Sequence, residues 1–160
     1  MAYLIDGNNL LGHISPSHLI KETKSKLELA YKLLIFQKLK KTKIFLVFDG
    51  PLDLDLISQD FQQKSFSIIY PGLEEDADCI IKKIIDKQSD LRRFYVVSSD
   101  RDIKDYARRQ GAISLSCPEF TKQLKLVLKK YKKYQEMKKD ASSLSPLEIN
   151  HWLKIFGRKK

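Results

Sequence analysis

Met1-Ala2-Tyr3-Leu4-Ile5-Asp6-Gly7-Asn8-Asn9-Leu10 is the stretch whose reading decides the fold. Tyr3, Leu4 and Ile5 form a short apolar run that stops at Asp6-Gly7-Asn8-Asn9, the composition of a buried strand running into a turn. Ligands of open parallel sheets bind at the carboxyl ends of the strands, so an acid where a buried strand stops lies at the rim of a candidate site. The same arrangement returns in Ile44-Phe45-Leu46-Val47-Phe48-Asp49-Gly50 and in Phe94-Tyr95-Val96-Val97-Ser98-Ser99-Asp100. Three strands each deliver an aspartate.

The segments between these strands read as helices. Residues 12–16 are expected to be loop, after which Ser17 or Thr23 caps a helix reaching about Lys40. Its residues Leu27, Ala30, Tyr31, Leu34, Ile35 and Leu39 recur at three and four, the period of a helix covering one sheet face. The run 44–48 is apolar throughout, as in a strand covered on both faces, and Asp49-Gly50-Pro51 ends it with turn chemistry. Residues 52–65 read as a short helix or an irregular segment. Residues 66–70 read as a third strand, and 74–78 are an acidic lead into an apolar helix over 79–85. Phe94–Val97 is the fourth strand, 100–109 the next helix, and Ile113–Leu115 a short closing strand. Such alternation predicts an α/β fold.

The tail differs in composition. Residues 121–140 hold eight lysines against one glutamate and one aspartate, while Leu124, Val127, Leu128, Tyr131, Tyr134 and Met137 keep helical spacing. This is one amphipathic basic helix. The chain is therefore divided into a domain over 1–120 and a basic helical extension over 121–160 packed on it. Residues 141–145 are a polar linker, and Pro146 opens a last short helix holding Trp152 and Phe156.

Lys+Arg 30 against Asp+Glu 20 gives a net charge of +10, which suits a polyanionic partner and equally a solvated lysine-rich surface. A hydrophobic share of 42% is that of a globular chain with a core. No basic and apolar leader precedes Asp6, and no apolar run approaches the roughly 20 residues that cross a bilayer. A cytoplasmic location with no membrane partner is the expectation. Cys79 and Cys117 lack metal-ligand spacing and fit a reducing compartment; neither is offered as a nucleophile. His13, His18 and His151 are scattered, which argues against a zinc site.

Each acid has a local explanation. Asp6 opens a turn, Asp49 precedes Gly-Pro, Asp76 and Asp78 favour a helix start, and Ser99 caps a helix with Asp100 and Asp102 in its first turn. Yet all of them lie at or just past the carboxyl ends of the four longer strands. Carboxylates converging on one rim repel one another and take up protons unless a cation is close. A hard dication such as Mg²⁺ or Mn²⁺ resolves the conflict and bridges carboxylates to phosphate. A basic protein with an acidic pocket then has a consistent substrate in nucleic acid, its cations holding the backbone while the metal meets the scissile phosphate. Arg101, Lys104 and Arg108, with Lys125, Lys129, Lys132 and Lys133 of the basic helix, are the candidate phosphate contacts; each is also readable as a solvated surface position. Tyr131 and Tyr134 either stack bases or pack into the core.

Leu4-Ile5-Asp6-Gly7-Asn8-Asn9-Leu10, Val47-Phe48-Asp49-Gly50, Ala77-Asp78 followed by Ile81, and Val97-Ser98-Ser99-Asp100, in this order, resemble the YacP-like NYN domain, a branch of the PIN-like nucleases. The likeness extends through the basic helix to Leu144-Ser145-Pro146 and Trp152. It implies a three-layer α/β/α sandwich with a central mostly parallel sheet in the order 3-2-1-4-5, and a Mg²⁺- or Mn²⁺-dependent endoribonuclease. By that resemblance Asp6, Asp78 and Asp100 match the metal-binding acids. Asn9 matches the residue beside the first acid that helps orient the scissile phosphate or a metal water, and Asp49 the acid after the second strand. Ser99 resembles the small hydroxyl before the last acid, with Asp76 and Asp102 accessory. A metal-activated water would attack phosphorus in an mRNA, rRNA or tRNA, on or off the ribosome. Two alternatives stay open: an inactive RNA-binding module recruited to RNA or the ribosome, and a nuclease acting on DNA.

Overall fold

The structure, a computed structural model, describes residues 1–14, 22–50, 61–72 and 74–140, without the side chains of 22, 23, 139 and 140. Its elements are β1 (Ala2–Asp6), α1 (Gly7–Ile14), α2 (Glu22–Lys40), β2 (Lys43–Val47), β3 (Phe66–Ile69), α3 (Ala77–Asp86), β4 (Phe94–Val97), α4 (Arg101–Gln110), β5 (Ile113–Leu115) and α5 (Cys117–Asp140). The strands form one sheet in the order β3-β2-β1-β4-β5, and each adjacent pair is parallel. Parallel neighbours need long crossovers, and α2, α3 and α4 lie in those connections.

Strand alternation divides the core into two layers. Tyr3 and Ile5 of β1 point to one face and pack with Leu33 and Phe36 of α2 and Phe120 and Leu124 of α5. Leu4 points to the other face and packs with Ile81 and Ile85 of α3 and Ile103 and Ala107 of α4. A strand buried on both sides has to be apolar at every position, which is why Tyr3-Leu4-Ile5 shows no alternation. The result is the α/β/α sandwich expected from the resemblance, with β1 in the middle.

Two boundaries differ from expectation. Asp6-Gly7-Asn8-Asn9 is the junction of β1 with α1 and not a turn, because Asp6 Oδ1 accepts the Asn9 N–H at 3.4 Å, the contact of a helix cap. Gly12, His13 and Ile14 are accordingly helical, and only 15–16 of the expected loop fall outside the described residues. The basic helix starts at Cys117, four residues before its lysine-rich stretch. Ser116 Oγ accepts the Glu119 N–H at 3.3 Å, half of an S-x-x-E capping box, and Pro118 falls in the first turn, where it is tolerated. Ser17, most of the segment 52–65, and the linker and last helix over 141–160 lie outside the described residues, while Thr23 lies inside α2.

Along α5 the apolar spacing is mostly real. Leu124, Val127 and Tyr134 are buried, while Leu128 and Tyr131 pack partly covered against the same core. The two tyrosines are thus core-facing and not base platforms. Leu126, outside that spacing, is 61% exposed.

Tyr3 gives the fold a pH-dependent term. Its ring stacks on Tyr95 at 4.8 Å between centroids and meets Phe36 edge-on at 5.2 Å, leaving it 4% exposed. Burial, and then the neighbouring Tyr95, pushes its phenol up to about 12. An unfolded chain ionises this phenol near pH 10 and the folded chain near 12, so its contribution to stability is intact below 10 and lost as pH rises through 12. Tyr3→Phe is expected to remove an alkaline loss of at most about 2 kcal/mol by pH 11.5, part of the two pK units at 1.36 kcal/mol each that are complete only above pH 12. Urea melts of both proteins at pH 8 and 11.5 check it: the wild type should lose more stability than the variant.

Candidate active site

The sheet order reverses beside β1. β2 and β3 extend on one side and β4 and β5 on the other, so the crevice at the carboxyl ends of β1 and β4 is the switch point of an open α/β sheet. Asp6 closes β1 there, 8% exposed. The register Leu4↔Val96 and Ile5↔Val97 continues to Asp6 opposite Ser98, and Ser98 Oγ donates to Asp6 Oδ2 at 3.1 Å. The same hydroxyl accepts the Asp100 N–H at 3.1 Å, so one buried serine ties the first acid to the last.

Asp100 is the N-cap of α4, its Oδ1 accepting the N–H groups of Asp102 at 2.9 Å and Ile103 at 3.2 Å. Asp78 lies in the first turn of α3. Burial pushes the Asp6 carboxyl up to about 6; hydrogen bonds from Ser98 and Asn9 oppose the shift, and the charges of Asp78 and Asp100 add to it. Asp78 is also raised, by burial first and then by Asp100 and Asp76, with Lys82 acting against it. Asp6 therefore senses the charges of Asp78 and Asp100, and Asp78 senses that of Asp100. Among the described residues no three Asp, Glu, His or Cys side chains close on one point as a metal cage. The donor set is nonetheless of the right chemistry: hard carboxylate oxygens, those of Asp6 and Asp78 at higher proton affinity than usual, whose repulsion a dication would relieve.

The other expected site residues are placed differently. Asp76 caps α3, its Oδ1 accepting the Cys79 N–H at 2.8 Å. Asp102 is paired with Lys82 at 2.7 Å, and this ammonium holds its carboxyl below the usual range. Asp49 is exposed just past β2 and is not one of the acids that raise Asp6. Asn9 uses its Oδ1 to accept the Ser99 N–H at 2.8 Å and the Cys117 thiol at 3.0 Å, and Ser99 Oγ accepts the Cys117 N–H at 3.1 Å. Asn9 and Ser99 thus pin the loop after β4 to α1 and to the start of α5. Cys117 is fully buried and burial pushes its thiol up, so it is no nucleophile.

Three further residues belong to the site. By type Ser98 and Ser99 are equivalent; the parity of β4 against β1 is the signal that identifies Ser98. Asn8 Oδ1 accepts the Asp49 N–H at 2.8 Å, fixing the end of β2 to α1. Lys82 stands one turn after Asp78, near enough to lower its proton affinity. Of the expected phosphate contacts, Arg101, Arg108, Lys125, Lys129, Lys132 and Lys133 are exposed and Lys104 is half-buried. Arg108 pairs with Asp105 at 3.7 Å.

A three-layer sandwich with acids gathered at its switch point is the PIN-like nuclease architecture. The model of the YacP-like NYN domain matches residues 3–155, and the chain belongs to that family. Two crystal structures of Rae1 (YacP) from Bacillus subtilis share its fold. One superposes with a TM-score of 0.73 at 19% identity, covering 98% of this chain and 92% of that one. The other, of a single-site mutant, gives 0.72 at 18% identity, covering 95% and 91%. No curated protein matches the sequence. Among the described residues no helix is long and apolar enough to cross a membrane.

Proposed function

We propose that this chain is a Mg²⁺- or Mn²⁺-dependent endoribonuclease whose centre is the crevice between β1 and β4. The observation that carries the reading is the placement of Asp6 at the switch point, tied through Ser98 to Asp100 and raised by the charges of Asp78 and Asp100. These three carboxylates would hold the cation, which when bound supplies Lewis acidity: it offsets their charge and that building on the phosphate, and eases deprotonation of the attacking water. Asp6 is held by Ser98 and the Asn9 N–H, so its oxygens keep one orientation. Asp100 is fixed by the helix it caps, which commits Oδ1 and leaves Oδ2 as its outward donor. Asn9 and Ser99 act as positioning residues for that acid, Asn8 aligns Asp49 as an assisting acid, and Asp76 and Asp102 are accessory. Arg101, Lys104 and Arg108 are placed on the same α4 that Asp100 opens, where they would receive backbone phosphates flanking the cut.

The test is incubation of the purified protein with a mixed structured and single-stranded RNA pool, and with matched DNA, in Mn²⁺, Mg²⁺ or EDTA. RNA fragments formed with metal and absent in EDTA are expected. Products from DNA alone would move the substrate class. A shifted RNA band in every condition without fragments would replace the enzyme by an RNA-binding module.

The exposed face of α5 is the second part of the reading: Lys125, Lys129, Lys132 and Lys133 would hold RNA, free or on a ribosomal surface in the cytoplasm. Converting all four to Gln is expected to weaken binding of single-stranded RNA and to lower the slope of log affinity against log salt by about 3, at roughly 0.7 per phosphate contact. Filter binding from 50 to 300 mM salt reads it. An unchanged slope would put RNA elsewhere.

A further inference from the structure

We propose that Lys82 is a further residue of the active centre: held at the rim of the crevice by Asp102 and Tyr106, its ammonium receives the phosphodiester that comes to lie against Asp78. The proposal rests on the reading of the crevice as a nuclease centre.

The ammonium is placed from two helices. Asp78 and Lys82 are four residues apart on α3, the spacing at which side chains share a helix face. From α4, Asp102 Oδ2 accepts Lys82 Nζ at 2.7 Å, and the centre of the Tyr106 ring lies 5.4 Å from the same nitrogen. Tyr106 is one turn past Asp102, and its hydroxyl donates to Asp86 Oδ1 at 2.5 Å, so the ring is itself tied back to α3. The neighbouring Lys83 pairs with Glu75 instead.

This arrangement orients a cation without using it up. An ammonium has three N–H donors, and the bond to Asp102 takes one. The Lys82 side chain is 32% exposed and that of Asp102 64%, so the pair is open to water, where ion pairs hold their partners weakly. Lys82 can therefore meet phosphate oxygens while it keeps Asp102.

The chemistry calls for such a cation. Three carboxylates outweigh one dication by a unit of charge, the phosphodiester brings another, and the transition state gathers more on its oxygens. Arg101, Lys104 and Arg108 supply positive charge from α4. Lys82 supplies it from α3, on the helix of Asp78, and its charge acts on that carboxyl.

The rival role is a strut between α3 and α4, and the two roles differ in what each end of the pair is worth. For a strut, losing Lys82 or losing Asp102 breaks the same bond. For a phosphate contact, Lys82 matters far more than Asp102, which only positions it.

Lys82→Gln and Asp102→Asn are compared with the wild type in three ways: single-turnover cleavage of RNA in Mn²⁺, Mn²⁺ binding to the RNA-free protein by electron paramagnetic resonance, and thermal melts. Both variants should melt as the wild type does, because the pair is exposed. Lys82→Gln is expected to lose at least about ten-fold in rate at saturating RNA, with a smaller change in KM. Its Mn²⁺ affinity should equal or exceed that of the wild type, since a cation that repels the metal has gone. Asp102→Asn should stay within about three-fold of the wild-type rate. Wild-type cleavage by Lys82→Gln, equal losses in the two variants, or weaker Mn²⁺ binding in Lys82→Gln would each overturn the role of Lys82 and leave the acid centre standing. No cleavage by the wild type in any metal would remove the centre, and the role of Lys82 with it.

Discussion

Asp100→Asn is expected to lower metal-dependent RNA cleavage by at least about 100-fold, the cost of removing one preorganised charge-stabilising group, while leaving the fold intact. Asn and Asp are near-equal helix caps, so the amide oxygen still accepts the Asp102 and Ile103 N–H groups that Asp100 Oδ1 accepts now. The backbone N–H that reaches Ser98 is unaffected. What disappears is the negative charge, one of the charges that raise Asp78 and Asp6. Asp100→Ala would answer less, because it also removes the cap, at about 1 kcal/mol. Asp6→Asn is the companion variant: its amide can accept from Asn9 and donate to Ser98 in place of the present acceptor pair. Cleavage at wild-type rate in both variants, with thermal melts unchanged, would sink the assignment of this crevice.

The control that separates binding from chemistry is RNA affinity in EDTA. Both variants should bind RNA at least as well as the wild type, since each removes a negative charge close to where phosphate would lie. Weaker binding together with lost cleavage would mean that these acids organise the RNA surface itself.

What could be read from sequence, and what could not, divides along physical lines. The three strand runs were legible because a strand buried on both faces is apolar at every position, and each run ends abruptly in polar residues. Parallel order and the α/β/α layering followed from strand and helix alternation and from the family likeness. Asp6-Gly7-Asn8-Asn9 reads as a turn because the same residue types serve turns and helix caps; the bond from the Asn9 N–H to Asp6 decides between them, and it depends on where the next helix packs. Ser98 and Ser99 are indistinguishable by type, and only the pairing of β4 with β1 shows which hydroxyl faces Asp6. Asp102 reads from sequence as an accessory acid of the same rim, and only the structure shows that Lys82, twenty residues away in sequence, takes it into an ion pair. Contacts set by register or by two helices meeting are not written in local composition.

Gly7→Ala should destabilise the protein by about 3 kcal/mol, the upper end of the cost of forcing an extra carbon into a packed site. A Cβ at Gly7 would stand 2.6 Å from Cδ1 and Cε1 of Phe48 and 2.8 Å from the Val47 carbonyl oxygen. The oxygen belongs to β2, which pairs with β1 through Asp6↔Val47, so it has no room to withdraw. Phe48 is fully buried, with Tyr70 at 6.0 Å and the Lys26 ammonium over its ring at 5.2 Å, so it cannot swing aside freely. Alanine's better helix propensity returns at most about 1 kcal/mol at this first helical position, too little to reverse the sign. For a chain of this size the loss corresponds to a melting temperature lower by on the order of 5–10 °C. Because the collision lies between Asp6 and Asp49, cleavage should also fall although no acid is touched. Phe48→Leu separates collision from any other cause: it removes the ring atoms that the new Cβ meets, so the double variant should be more stable than the sum of the two single changes predicts, with a coupling above about 1 kcal/mol. Strict additivity would mean that the Val47 oxygen alone sets the limit, and that β1 and β2 cannot separate to admit even one carbon.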